Sequence, residues 1–138
     1  QRRYRALRAG EGGPDLNLLD SSGWIEFFKD GRNAKAFGKL VLGHEPILVP
    51  TICLLEVERY IRRTKGEVEA REAVALMRRG KSVPLNEEIA SLAARLGLEH
   101  RLALADSVVL ASARRHGARL WTQDIDFKDL SDVHYLAA

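Results

Sequence analysis

The chain has 138 residues, of which 46% are hydrophobic and 30% are charged, a composition typical of one globular domain with its own core. No apolar run approaches the ~20 residues of a membrane-spanning helix, and the N-terminus lacks the apolar core of a secretory signal. The single cysteine, Cys53, cannot form an internal disulfide. These features argue against a membrane protein or a disulfide-stabilised scaffold, and they predict a cytoplasmic protein.

The formal net charge of +3 is concentrated at the start of the chain. Residues 1–15 (QRRYRALRAGEGGPD) contain four arginines against Glu11 and Asp15, so the rest of the chain is close to neutral. This stretch has no hydrophobic periodicity and contains Gly-Gly-Pro, which favours a disordered extension or a cloning remnant. We therefore predict that the folded domain comprises residues 16–138.

Short apolar runs along the domain predict β-strands. They lie at residues 16–20, 46–50, 82–85 and 118–122, with 133–136 as a further candidate. The stretches between them predict helices, one after Asp20 and others at 33–43, 51–66, 67–80, 86–97 and 102–117. The last five end at glycines, and Asn33, Thr51 and Asn86 are candidate caps at their starts. Strands that alternate with helices predict an α/β fold whose central, mainly parallel sheet is flanked by helices.

Acidic residues follow two of the predicted strands. Asp20 ends the first strand and precedes Ser21, Ser22 and Gly23, while Asp124 follows the strand that contains Trp121. An acid at such a position can simply cap the following helix or turn. It can also face a ligand, because the carboxyl ends of the strands border the binding crevice in open α/β sheets. One stretch alone does not decide between these explanations.

Two further acids are predicted to lie on the apolar side of a helix. At 100° per residue, Glu58 shares a polar arc with Arg62 at the spacing of an ion pair, whereas Glu56 projects to the other side, near Cys53. Asp106 similarly falls between Val109 and Leu110, positions expected to face the core. Burial of a carboxylate is costly unless it is hydrogen-bonded, paired or bound to a metal. The simpler explanations are a flexible side chain at a helix flank and an acid that favours the helix dipole.

Taken together, the strand-end acids and the helix acids are best explained by one shared crevice. Crowded carboxylates raise one another's pKa, and a divalent cation would relieve this repulsion. Oxygen ligands favour Mg²⁺ or Mn²⁺ over zinc, and the histidines show no paired metal-ligand spacing. The chain also lacks a Gly-rich phosphate loop and a G-x-S-x-G motif. The residues therefore indicate metal-assisted phosphodiester hydrolysis.

Four motifs in this order resemble a PIN domain, and within that family the VapC-type toxins of toxin–antitoxin pairs. They are LLDSS at 18–22, LLEVERY at 54–60, LALADSVVLASA at 102–113 and LWTQDIDF at 120–127. The resemblance implies a three-layer α/β fold, a Mg²⁺- or Mn²⁺-dependent endoribonuclease activity on RNA, and inhibition by a cognate antitoxin. It also implies the site residues: a catalytic and metal-binding quartet of Asp20, Glu56, Asp106 and Asp124, a fifth metal ligand at Asp126, and supporting hydroxyls at Ser22 and Thr122.

Two other functions fit parts of this pattern. A PIN-like module could bind RNA or protein without cutting, although the complete acid set argues against that reading. A receiver-type phosphoryl-transfer domain also gathers acids at strand ends, but here no strand-end lysine accompanies them and two acids lie on helices. We further predict a homodimer, both from the resemblance and from an apparent excess of apolar residues on paired helices: Phe37, Leu40, Val41 and Met77.

Overall fold

The computed structural model describes residues 16–138, and the predicted extension at 1–15 lies outside the described residues. The elements follow the predicted alternation: β1 (Asn17–Leu19), α1 (Ser21–Phe28), α2 (Ala34–Val41), β2 (Ile47–Pro50), α3 (Thr51–Lys65), α4 (Glu67–Met77), β3 (Lys81–Val83), α5 (Glu87–His100), α6 (Leu104–Arg115), β4 (Arg119–Thr122), a short 3-10 helix (Ile125–Phe127) and β5 (Val133–Tyr135). The α/β prediction is therefore confirmed. Every helix among residues 16–138 is too short or too polar to cross a bilayer.

All five strands form one parallel sheet in the order β3-β2-β1-β4-β5. The central strand β1 pairs with β2 on one side and with β4 on the other, so that Leu18 lies opposite both Leu48 and Leu120. The chain first builds outward from β1 to β3 and then returns to add β4 and β5 on the other edge. This reversal between β1 and β4 creates the type of crevice that binds ligands in open α/β sheets.

Two hydrophobic clusters cover the two faces of the sheet. Successive residues of a strand point to opposite faces, and Leu18 accordingly belongs to one cluster while Leu19 belongs to the other. The Leu18 cluster includes residues of α5 and α6, among them Ile89 and Leu110. The Leu19 cluster draws on α1 to α4. The fold therefore has three layers, as the family resemblance implied.

Two residues predicted to mark helix ends have further roles in the structure. The helix predicted to stop at Gly97 continues to His100 and is closed by Arg101 in the left-handed conformation. Gly97 instead provides close packing, because a Cβ there would collide with the Ser107 side chain on α6. Asn33 precedes α2, but its side chain does not cap the helix. Its side-chain amide instead donates to the side chain of Gln123 and to the carbonyl of Ala137.

The apolar residues that suggested a dimer surface are largely used inside the chain. Phe37 and Met77 are 0% and 1% exposed, and Leu40 and Val41 pack partly buried against the same cluster. These side chains complete the layer of α1 to α4 on its face of the sheet. Phe37 and Met77 therefore cannot contribute to a surface for another copy, and that part of the homodimer argument is wrong, whereas Leu40 and Val41 stay partly exposed.

Candidate functional site

The Asp20 carboxylate sits at the start of α1, directly after the central strand. It caps the helix by accepting a hydrogen bond from the Gly23 amide at 3.0 Å. The hydroxyls of Ser22 and Thr122 also donate to it, at 2.7 and 2.6 Å. Asp20 is only 4% exposed. It is thus both the helix cap and an inward-facing acid at the crevice, so the two explanations offered by the sequence are compatible.

The segment after β4 is tied to Asp20 through Thr122. The fully buried Thr122 hydroxyl, which donates to Asp20, also accepts a hydrogen bond from the Asp124 amide at 2.9 Å. Asp124 in turn caps the short 3-10 helix by accepting from the Asp126 amide at 2.9 Å. These bonds fix the main chain that presents the carboxylates of Asp124 and Asp126.

A third acid joins this pair from a different element. Asp106 lies in the first turn of α6 and is partly buried. Among the described residues, Asp106, Asp124 and Asp126 form an acidic group. One carboxylate oxygen from each of them lies within 4.8 Å of the oxygens from the other two. Acids from α6 and from the segment after β4 therefore converge, although they belong to different elements.

Glu56 lies on α3, outside that group of three. Its carboxylate accepts a hydrogen bond of 2.6 Å from the hydroxyl of Ser21, the first residue of α1. Ser21 is thus the partner that the sequence did not reveal for this inward-facing acid. Glu58, two residues away, bonds to Arg62 at 3.0 Å on the exposed side, as the helical spacing predicted.

Burial, and for Asp106 also its acidic neighbours, raises the pKa of two of these acids. Burial raises the pKa of Asp106 to about 7, and repulsion from Asp124, Asp20, Glu56 and Asp126 adds to the effect. Burial also raises the pKa of Asp20 to about 6, although its hydrogen bonds from Thr122, Ser22 and Gly23 oppose the shift. Groups that resist ionisation in a crevice are candidates for cation binding or catalysis.

The single cysteine lies close to the acids but is chemically quiet. Cys53 is fully buried, and burial raises the pKa of its thiol, with the charges of Asp20 and Glu56 acting in the same direction. A thiolate is the nucleophilic form of cysteine. The structure therefore gives no support to a cysteine nucleophile at this site.

The donor set of the site suits a hard cation. The converging ligands are carboxylate oxygens, which Mg²⁺ and Mn²⁺ prefer, and their mutual repulsion would be relieved by positive charge. Asp106, Asp124 and Asp126 are the residues placed to share an ion. Asp20 is linked to the Asp124 main chain through the Thr122 hydroxyl, and the Ser21 hydroxyl donates to Glu56.

Sequence reasoning missed a set of polar residues beside the acids: Ser21, Glu26, Asn33 and Gln123. Glu26 is 6% exposed, and its carboxylate accepts hydrogen bonds from the backbone amide of Asn33 and from the side chain of Gln123. The one available signal was an acid inside the apolar run WIEFF at 24–28. The partners of Glu26 could not be found in this way, because they are 7 and 97 residues distant.

The fold and the acidic group define a general class, an open parallel α/β protein with a carboxylate-rich crevice where the strand order reverses. The PIN domain family model matches residues 18–133, so the chain belongs to the PIN domain family. This confirms the resemblance seen in the sequence. A search of curated proteins found no match.

Solved structures with a similar fold include a VapC toxin and toxin–antitoxin complexes. One is a toxin–antitoxin complex from Klebsiella pneumoniae, with a TM-score of 0.72 and 24% identity over 87% of this chain and 99% of that chain. Another is VapC20 from Mycobacterium tuberculosis, a toxin that cleaves the sarcin–ricin loop, with a TM-score of 0.72 and 17% identity over 90% and 98% of the two chains. A third is VapBC-1 from nontypeable Haemophilus influenzae, with a TM-score of 0.67 and 16% identity over 88% of this chain and 97% of that chain.

Proposed function

We propose that this chain is a divalent-metal-dependent endoribonuclease and the toxin of a type II toxin–antitoxin pair. The observation that carries the proposal is the convergence of Asp106, Asp124 and Asp126 within 4.8 Å at the crevice, in a chain of the PIN domain family. The toxin–antitoxin structures that share its fold support the assignment to a toxin. A cytoplasmic location, where RNA is available, belongs to the same proposal.

The acids would divide the work of phosphodiester hydrolysis. Asp106 and Asp124, with Asp126, would hold Mg²⁺ or Mn²⁺, and Asp20 would contribute directly or through water. When bound, such an ion lowers the pKa of water and neutralises charge on the phosphate. Glu56, held by Ser21 at 2.6 Å, would orient the attacking water or hold a second ion. The hydroxyls of Ser22 and Thr122 would keep the Asp20 carboxylate in place.

RNA is the proposed substrate because a phosphodiester fits the chemistry of the site and because one structural relative is a toxin that cleaves the sarcin–ricin loop. The acids alone would repel a phosphate backbone, so substrate binding would depend on the ion and on cationic side chains around the crevice. Single-stranded or looped RNA is favoured because its bases can be splayed out and its backbone can enter a crevice. An antitoxin would block the same crevice.

A homodimer is also part of the proposal. Besides the resemblance, two leucines at the corner between α5 and α6 are strongly exposed, Leu98 at 84% and Leu104 at 88%. In this proposal the two leucines belong to one exposed apolar patch, the kind of surface that is typical of interaction sites. This corner, and not the buried Phe37 and Met77, is where we expect a second copy to pack.

The activity is tested with purified chain free of antitoxin and a structured RNA. We expect cleavage with Mg²⁺ or Mn²⁺, and its loss when EDTA is added. An RNA that stays intact with either ion while the chain binds it would favour the PIN-like module that binds without cutting. Cleavage that persists in EDTA would contradict the metal-dependent mechanism.

A further inference from the structure

A buried carboxylate on α1 has no part in the proposed chemistry. Glu26 is 6% exposed, yet none of the ion pairs between described residues includes it. Its carboxylate oxygens instead accept hydrogen bonds from the backbone amide of Asn33 at 2.9 Å and from Nε2 of Gln123 at 3.4 Å. Burial of a carboxylate without a cation is unfavourable, so such an arrangement requires neighbours built to receive it.

The surrounding main chain is shaped to accept this carboxylate. A Cβ at Gly31 would collide with the carboxylate of Glu26, so the backbone between α1 and α2 lies directly against the acid. The Gly31 amide also donates to the carbonyl of Glu26 at 3.0 Å, and the Asn33 amide donates to its side chain. Glu26 is therefore enclosed by donors and by a close glycine contact.

Gln123 connects Glu26 to the acidic site. Its side-chain oxygen accepts from Nδ2 of Asn33 at 3.0 Å, while its Nε2 faces Glu26. Its main-chain amide donates to the Ser22 hydroxyl at 3.2 Å, and that hydroxyl donates to Asp20. In the chain, Gln123 also lies between Thr122, which binds Asp20, and Asp124. A shift of Gln123 would therefore move residues of the site on either side of it.

We propose that Glu26, Asn33 and Gln123 form a positioning network that fixes the main chain at residues 122–124 and so orients the Asp124 carboxylate toward its neighbours. Glu26 is a positioning residue in this scheme, because it reaches the site only through Gln123. Residues that orient the ligands of a metal tune its affinity, typically tenfold to a hundredfold. The inference rests on the proposed function, since its consequence is the affinity of the site for a cation.

The polarity of the network supplies a sharp test. The backbone amide of Asn33 and Nε2 of Gln123 both donate to Glu26, one to each carboxylate oxygen. Both terminal atoms of the side chain at position 26 must therefore be acceptors. Glu26→Gln keeps the size but turns an N–H₂ donor toward the donor of Gln123. Adding Gln123→Glu gives the new side-chain donor at position 26 a carboxylate acceptor at position 123. The carboxylate at position 123 can still accept from Nδ2 of Asn33, and the net charge equals that of the wild type.

The experiment measures Mn²⁺ binding by calorimetry on the antitoxin-free chain, with thermal unfolding in EDTA as the control for folding. We expect Glu26→Gln to weaken Mn²⁺ binding about tenfold. The double variant Glu26→Gln/Gln123→Glu should return to within about threefold of wild type, and Glu58→Gln, on the exposed side of α3, should bind as wild type does. If Glu26→Gln alone does not fold, the double variant decides by the same criterion.

Two results would overturn the network: a Glu26→Gln variant with wild-type affinity, or a folded double variant with affinity reduced tenfold or more. A failure of the proposed function has a different signature. In that case the wild type would bind no Mn²⁺, or Asp106→Asn would bind it equally well. The two failures are therefore distinguishable in one series of titrations.

Discussion

Thr122 joins the two strand ends that build the site. Its buried hydroxyl donates to Asp20 at 2.6 Å and accepts from the Asp124 amide at 2.9 Å. Thr122→Val keeps the shape but leaves a buried acceptor and a backbone donor without partners. We expect a loss of about 2 kcal/mol in the free energy of unfolding, measured with urea, and weaker RNA cleavage.

Thr122→Ser is the matched control for that change. It keeps the hydroxyl and removes only a methyl group, so cleavage should persist and the loss of stability should be about 1 kcal/mol or less. Equal stability of the valine variant and the wild type would show that the hydroxyl does not hold the two strand ends together.

The raised pKa of Asp106 predicts a pH dependence of folding in the absence of metal. Its pKa in the folded chain is about 7, above the ordinary value of 3.8, so the neutral carboxyl favours the folded state and this advantage is lost as pH rises through about 4 to 7. Asp106→Asn is neutral at every pH. In EDTA, we expect its unfolding midpoint to match wild type near pH 4 and to be about 3 °C higher at pH 8.

That shift corresponds to roughly 1 kcal/mol, a small value because Asp106 is only partly buried and solvent screens its charge. Glu58→Gln provides the comparison, since Glu58 forms a surface pair with Arg62 and should change stability by at most ~0.5 kcal/mol at any pH. A gap between Asp106→Asn and wild type that stays constant from pH 4 to pH 8 would contradict the assignment.

At the residue scale, the sequence and its family resemblance revealed the acids and the Ser22 and Thr122 hydroxyls that bind Asp20, but not the other partners. Asp20 and Asp106 were recognisable because a carboxylate at a strand end or on an apolar helix face is out of place. Ser21 and Gln123 carried no such signal, because Ser and Gln are ordinary in helix starts and loops. Their roles depend on contacts that only the folded chain creates.

At the scale of elements, the packing of α5 against α6 positions one acid of the site. Gly97 lets α5 approach Ser107, the residue after Asp106. Gly97→Ala raises helix propensity by about 1 kcal/mol but forces the two helices apart. We expect a net loss of about 2 kcal/mol in urea unfolding, together with weaker Mn²⁺ binding because Asp106 would move with α6.

The same substitution in a Ser107→Ala background is the control. Removing the Ser107 hydroxyl deletes the atom that the new Cβ would meet first, so part of the lost stability should return. If Gly97→Ala stabilised the chain in the wild-type background, the close contact would not constrain these helices.

The order of elements was predictable from the sequence, whereas some of their boundaries were not. Apolar runs and capping residues located all five strands and the helices between them. The end of α5 was misplaced because Gly97 was interpreted as a stop signal, and only the neighbouring helix explains it. Asn33 was correctly placed before α2, but its side chain serves Gln123 and Ala137 instead of the helix end.

At the scale of the whole molecule, the strand order explains why separate motifs meet. Asp20 and Asp124 follow β1 and β4, which are neighbours in the sheet although about a hundred residues separate them. The sequence supplied the two motifs, the parallel connections and the inference of one shared crevice, and the family resemblance agreed with it. The distribution of apolar residues between core and surface was not predictable, as the buried positions of Phe37 and Met77 show.

The proposed homodimer is checked by light scattering at micromolar concentration. We expect a mass of twice the 15.4 kDa of one chain. Leu104→Glu, which puts a charge on the exposed corner between α5 and α6, should lower that mass toward one chain without unfolding the protein. A wild-type mass of one chain would contradict the dimer.

In the proposed mechanism, RNA cleavage depends on the converging carboxylates of Asp106, Asp124 and Asp126. The most direct measurement is the rate of RNA cleavage by antitoxin-free wild type, Asp106→Asn and Glu58→Gln across added Mn²⁺. Both substitutions replace a helical acid by its amide, but an amide oxygen is a poorer ligand for a hard cation than a carboxylate. We predict near-complete loss of cleavage for Asp106→Asn and a wild-type rate for Glu58→Gln. Equal cleavage by Asp106→Asn and wild type would contradict the account.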